Sequence, residues 1–359
     1  MKKNIYFVFL AALIVCSLCA CGTKNAGDGK ETGKIKIVTT IFPEYDWVMS
    51  ILGDHADKAE VTMLLDNGVD LHSYQPTADD ILKISDCDLF IYVGGESDEW
   101  VDNALQEATN QDMVTINLLE VLGSSIKEEE VVEGMQEEDE HEHEHEHEDA
   151  GDEDEHEHEH EHEDAGDEDE HEHEHEHEEG EPEYDEHVWL SLRNASTLVQ
   201  SISDAIIRID PDSADDYKNN TTAYIDKLNA LDKEYSSAVS NASFNTLLFG
   251  DRFPFRYLTD DYGLDYYAAF VGCSAETEAS FETITFLSQK VDELGLPAVM
   301  TIEGADHKIA ETIVQNTQSK DQKILTMDSM QSTTSKDVAN GTSYLSVMEN
   351  NLSVLKEAL

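Results

Sequence analysis

The stretch from residue 137 to 183 constrains the fold most, because it cannot fold. Residues 141–147, 156–162 and 171–177 each read His-Glu-His-Glu-His-Glu-His, at a period of 15 residues. Glu-Asp-Ala-Gly-Asp-Glu-Asp-Glu separates the blocks. The 47 residues carry 29 of the chain's 80 acids and none of its 22 Lys and Arg. With no large apolar side chain the tract cannot bury a core, and it is read as a disordered acidic His-rich loop, 124–186 with its flanks. In extended chain, alternation sends imidazoles to one side and carboxylates to the other. His141, His143, His145, His147, His156, His158, His160, His162, His171, His173, His175 and His177 thus form a low-affinity capture surface for a d-block cation.

The remainder is acidic too. Outside 137–183, acids exceed bases by 29. Nucleic-acid binding draws on Lys and Arg at phosphates, so no nucleic-acid partner is expected. The charge suits cations.

At the N-terminus, Lys2 and Lys3 precede an uncharged apolar run from Ile5 to Leu18. The run is short for a membrane span and has the form of a signal peptide, residues 1–20. Leu18-Cys19-Ala20-Cys21-Gly22 resembles a bacterial lipobox, which makes Cys21 the lipid-attachment residue, followed by a polar tether, 21–33. The expected location is extracytoplasmic, anchored to the cell membrane through lipid. Cys87 and Cys273 remain, far apart, and are read as buried free thiols.

From Lys34 onward strands and helices alternate. Strands are expected at 35–38, 61–65, 89–93 and 113–117, and after the tract at 246–249, 264–269, 298–302 and 323–327. Helices fall between them. A helix over 194–209 leads at Pro211 into a second that runs to about Val239, long enough at about 1.5 Å per residue to exceed about 40 Å. The expected class is α/β: two β/α lobes with parallel sheets, 34–209 and 242–359, joined by a rigid interlobe helix, 210–241, with a metal site in the cleft.

Two histidines stand apart from the tract. His72 lies in Gly68-Val69-Asp70-Leu71-His72-Ser73-Tyr74-Gln75-Pro76-Thr77, and His187 in Asp185-Glu186-His187-Val188-Trp189-Leu190. With Thr39-Thr40-Ile41-Phe42-Pro43 and Asp88-Leu89-Phe90-Ile91-Tyr92, these segments resemble the zinc- and manganese-specific solute-binding lipoproteins of bacterial metal ABC importers. The resemblance covers about Lys34 to Leu359. It implies a metal site of His72, His187, Asp251 and Asp328, with zinc as the ion, or manganese because two carboxylates would sit in the shell. It also implies a membrane permease with its cytoplasmic ATPase as partner, and a monomer. The chain departs from the pattern at Leu71 and Glu186, which replace prolines, and at Asp251, where zinc members place His. His72, Asp251 and Asp328 all fall just past expected strands, where open α/β sheets hold ligands. Asp251 could instead pair with Arg252 or Arg256. His55 is read as exposed, and His307 as a helix cap. Glu303 is read as near the site or as lobe packing.

The expected function is an extracytoplasmic receptor that captures zinc and delivers it to a permease. Its alternatives are a manganese receptor, or an adhesin lipoprotein whose tract buffers metal. No enzyme activity is expected, since G-x-S-x-G and P-loop motifs are missing from the sequence and the spacing H-E-x-x-H falls only inside the alternating tract.

Overall fold

Among the described residues, eight parallel strands form two sheets with the same winding. The computed structural model describes residues 33–136, 183–274, 278–304 and 306–359. The leader with Cys21, and the twelve tract histidines, lie outside the described residues.

In the N-lobe, β1 (Ile35–Thr39), β2 (Ala59–Met63), β3 (Leu89–Tyr92) and β4 (Val114–Asn117) are ordered β2-β1-β3-β4. In the C-lobe, β5 (Thr246–Phe253), β6 (Asp265–Val271), β7 (Ala298–Ile302) and β8 (Lys323–Met327) are ordered β6-β5-β7-β8. The central strands β1, β3, β5 and β7 carry most of the buried positions, as parallel strands covered on both faces require. Helices α1 (Phe42–Leu52), α2 (Ala78–Ser85), α3 (Trp100–Gln106) and α4 (Leu118–Leu122) belong to the first half, and α5 (Leu192–Ile209) follows the tract. After the long α6 (Ala214–Ser240) come α7 (Arg256–Tyr262), α8 (Phe281–Leu294), α9 (Lys308–Asn316), α10 (Ser335–Ala339) and α11 (Tyr344–Ala358).

The 27 residues of α6 span about 40 Å, and its buried stripe serves both lobes in turn. Near its start Asn220 Nδ2 donates to the Ile51 carbonyl, and Tyr224 donates to Asp46 Oδ2, both on α1. Near its end the Tyr235 hydroxyl donates to the Met348 carbonyl of α11 at 2.6 Å. One apolar core runs through Trp47, Ile202, Leu228, Tyr235 and Tyr344, so the lobes share buried surface behind the cleft.

The edges of the acidic loop are placed more definitely than its composition suggests. Glu128 bridges antiparallel to Tyr184, flanked by Glu129 N to the Glu183 carbonyl and Asp185 N to the Lys127 carbonyl, both 2.9 Å. Beyond this, Met135 is buried and Gln136 N donates to the Ala269 carbonyl on edge strand β6. Ile126, Val132 and Met135 pack these edges against the apolar core.

Strand β5 also differs. It continues to Phe253 through a register shift between Phe249 and Arg252, so Asp251 lies within the strand rather than past it.

Candidate metal centre

His72 and His187 come from loops on opposite sides of the tract and meet ring to ring. His72 sits in a single turn, Leu71–Ser73, whose N-cap Asp70 accepts the His72 amide through Oδ1 at 3.1 Å. His187 precedes the turn Val188–Leu190 and is fully buried, and its amide donates to Asp185 Oδ1 at 2.8 Å. The two Nε2 atoms are 3.2 Å apart.

The far side of each ring is held. His187 Nδ1 is 3.1 Å from Asp185 Oδ1, and the Asp185 carbonyl accepts from the Tyr257 hydroxyl at 2.9 Å. His72 Nδ1 is 2.8 Å from Ser97 Oγ and 3.4 Å from Glu186 Oε2. Partners at Nδ1 leave Nε2 as the lone-pair atom on both rings, the arrangement that readies a histidine to ligate. Glu186 reaches this position because residue 95 is glycine: at Gly95 (φ +81°) a Cβ would lie 2.3 Å from Glu186 Oε1. The same carboxylate accepts from Ser97 N at 2.9 Å, and burial pushes it up to about 7.

Burial and the positive field of His187 push His72 down to about 3. Burial opposes the charged form of His187 as well, but Asp185 outweighs it and raises this ring. Charging both rings at once is therefore opposed, and a cation bound by the two Nε2 atoms would replace any proton shared between them.

Cys273 joins them. One donor atom from each of His72, His187 and Cys273 lies within 4.8 Å of the other two. The cysteine is half-buried rather than buried and stands just past β6. A cavity of about 210 Å³ opens beside the group, lined also by Glu96, Glu129, Glu183 and Glu186.

The two expected carboxylates lie outside that group. Asp251 Oδ1 accepts from Arg252 N at 2.9 Å, and Oδ2 from Ile302 N on β7 at 3.2 Å. At the shift in β5 the side chain thus fills part of the sheet ladder, and burial raises its pKa. Neither arginine pairs with it: Arg252 takes Asp70 and Arg256 takes Glu130, each at 2.7 Å. Asp328 does stand just past β8. Its Oδ1 accepts from Met330 N at 2.7 Å, and burial followed by Glu303 pushes it up to about 6. The Asp328 loop reaches the histidines through Trp189, whose Nε1 donates to the Ser329 carbonyl at 2.8 Å and whose ring lies 5.3 Å from that of His187. Glu303 braces this loop, accepting from Ser329 N, Ser329 Oγ and Gln331 N.

His55 is half-buried against Tyr217, with Nε2 2.8 Å from Asp216 Oδ2. His307 occupies an N-cap position, but its side chain makes no cap bond. Sequence reasoning missed Cys273, Ser97, Glu186 as a ring partner, and Glu129. The available signal for Cys273 was its place after a C-lobe strand.

Two parallel-sheet lobes with paired imidazoles at their cleft define the class of two-lobed metal-binding proteins. The chain belongs to the family of the periplasmic zinc-uptake complex component A, whose model matches residues 37–358. It is 31% identical over 352 residues to the zinc-binding lipoprotein AdcA of Streptococcus pneumoniae, which covers 98% of this chain and 60% of that protein. The chain thus spans about 60% of the length of that relative. It is 29% identical over 355 residues to the high-affinity zinc uptake system protein ZnuA of Bacillus subtilis, at 98% and 97% coverage. Among solved structures, the Zn(II)-bound ZnuA-like domain of Streptococcus pneumoniae AdcA superposes with a TM-score of 0.63 at 27% identity, covering 91% of this chain and 99% of that one.

Proposed function

We propose that this chain is an extracytoplasmic receptor that captures zinc in its cleft and hands it to the permease of a metal ABC importer. The carrying observation is the pair of Nε2 atoms 3.2 Å apart, each ring fixed from behind. Two nitrogens bound to one tetrahedral zinc at about 2.05 Å stand about 3.3 Å apart. His72 and His187 therefore fit the cation without rearranging. Asp328 would supply a carboxylate from the C-lobe. The remaining position falls to a second C-lobe residue, for which Asp251 and Cys273 both stand near the cleft.

Several further parts belong to this reading. The leader directs export, Cys21 carries lipid, and the tract histidines gather zinc close to the cleft. The receptor acts as a monomer and catalyses nothing. Manganese is the second reading, favoured only by the oxygen ligands that Asp251 and Asp328 would bring.

Zinc titration of the full chain, against a competing chelator, tests the proposal. A tight first equivalent is expected, lost in His72→Ala and in His187→Ala. Tight binding that survives both substitutions would place the cargo site elsewhere.

A further inference from the structure

We propose that the Cys273 sulfur is the C-lobe ligand completing the imidazole pair, and that it makes the cleft select zinc over manganese. The inference rests on the receptor reading above.

The turn after β6 is built to hold this sulfur against the histidines. Gly272 makes the approach possible, since a Cβ there would lie 3.0 Å from His187 Cε1 and 3.1 Å from Nδ1. That Cβ would also lie 2.9 Å from the Phe253 carbonyl, so a larger residue would force the turn or the ring to shift. The Cys273 amide donates to Glu129 Oε1 at 3.1 Å, and Glu129 lies on the segment that leads to the tract. Arg252 Nη1 donates to the Ser274 carbonyl at 3.3 Å, while Nη2 of the same guanidinium holds Asp70 beside His72. The sulfur is thereby tied to the loops that carry both the tract and His72.

Asp251 is less suited to the position. Both of its oxygens serve main-chain amides, and it lies outside the group of donor atoms within 4.8 Å. The other described thiol, Cys87, is fully buried with its sulfur against Met113 Sδ. In a zinc tetrahedron a sulfur at about 2.3 Å stands about 3.6 Å from each nitrogen, so a small side-chain adjustment closes the shell. The thiol gives its proton to solvent as the sulfur–zinc bond forms. A thiolate and two imidazoles suit zinc, whereas manganese prefers oxygen.

Cobalt(II) in the full-length chain tests this, because a sulfur ligand adds a near-ultraviolet charge-transfer band that nitrogen and oxygen ligands do not. Wild type and Cys87→Ser should show the band with the first equivalent, and zinc should remove it. Cys273→Ser should lack that first-equivalent band. Its zinc affinity should fall by at least about 100-fold, since even a residue behind a ligand is worth about 10–100-fold. Its zinc-over-manganese preference should narrow. Cys273→His should recover zinc binding without the band, which keeps the test open if the serine variant folds poorly. Tight, zinc-displaceable cobalt with no band in wild type, or a first-equivalent band unchanged in Cys273→Ser, would overturn Cys273 as ligand and leave the receptor reading standing. Absence of any tight equivalent would overturn both.

Discussion

Arg252 on the C-lobe donates to Asp70 Oδ2 at 2.7 Å, across the cleft and two residues before His72. The ion pair is about one-fifth exposed on each side, at 19% and 20%. Removing one partner of such a pair leaves a poorly solvated charge, a loss of up to about 3 kcal/mol at this exposure. Arg252→Met, which keeps the side-chain stem, should lower stability by that order in urea unfolding. It should also weaken zinc, because Asp70 orients the His72 turn. A double-mutant cycle with Asp70→Asn should show the two effects to be coupled. Additive losses would mean that the pair does not act as a clamp.

His72→Ala and His187→Ala should abolish zinc-induced stabilisation yet leave the metal-free protein folded. The folded state binds zinc and the unfolded state does not, so the thermal midpoint should rise with zinc only where the site is intact. His187 is fully buried beside Asp185. Its alanine variant should therefore lose more zinc-free stability than that of His72. Differential scanning fluorimetry with and without zinc reads both quantities. A midpoint shift like that of wild type in either variant would contradict the site.

The histidines and the alternation of strands and helices were legible in the sequence for physical reasons. Central parallel strands buried on both faces read as apolar runs, and Ala298–Ile302, buried throughout, falls where its run predicts, while the edge strand Lys323–Met327 is only partly buried. His72 and His187 stand in turn-rich segments where no packing role explains them. Cys273 was not legible, because one cysteine looks like a small hydrophobe until the crossing of the lobes sets it beside His187. Asp251 was misplaced because a short apolar run suggested that β5 ends at Phe249, whereas the strand continues past a local shift. The contacts behind the rings join residues as distant as Ser97 and Glu186, a separation no local pattern encodes.

Asp46 predicts a pH dependence away from the cleft. Burial pushes its carboxyl up to about 6 from 3.8, although Tyr344 N and the Tyr224 hydroxyl both donate to Oδ2 at 3.2 Å. Below about pH 4 the group is protonated in both folded and unfolded chains. Between about 4 and 6 the unfolded chain releases its proton first, so stability falls as pH rises, by about 2–3 kcal/mol in all. Asp46→Asn keeps an oxygen acceptor for both donors and carries no charge. It should be more stable than wild type near neutrality and should lose the share of the slope that Asp46 contributes over that window. Urea midpoints at pH 4, 5, 6 and 7 check this, and an unchanged slope would mean that Asp46 is already ionised in the folded protein at low pH.

Replacing 137–182 with a short Gly-Ser linker should spare the tightest zinc equivalent and lower the total bound. The bridge between Glu128 and Tyr184 ties the loop's ends together independently of the tract. Fixing a residue of the chain costs about 1–2 kcal/mol, which sets weak individual sites as the expectation for the tract. Calorimetric titration of both forms separates the classes of site. A large loss at the tightest equivalent would mean that a tract histidine enters the cleft shell.

The two expected carboxylates should separate cleanly when each is changed to its amide. Asp251 spends its oxygens on Arg252 N and Ile302 N, so Asp251→Asn leaves one main-chain amide facing a donor instead of an acceptor. A buried group left unsatisfied costs about 1–3 kcal/mol, and stability should fall by that order. Zinc affinity should change little, because these oxygens already serve the sheet. Asp328 uses only Oδ1 in a bond within its own turn, and its loop is joined through Trp189 to the His187 ring. Asp328→Asn should therefore leave the fold near wild type and weaken zinc by at least about tenfold, the lower bound for residues that even indirectly support a bound metal. Asp251→His extends the comparison: imidazole is a good zinc ligand, so a ligating position would gain zinc preference over manganese, and a sheet position would lose stability alone. Chelator competition and urea unfolding on the three variants decide the matter. A zinc loss in Asp251→Asn equal to that in Asp328→Asn would put Asp251 in the shell and take the third position away from Cys273.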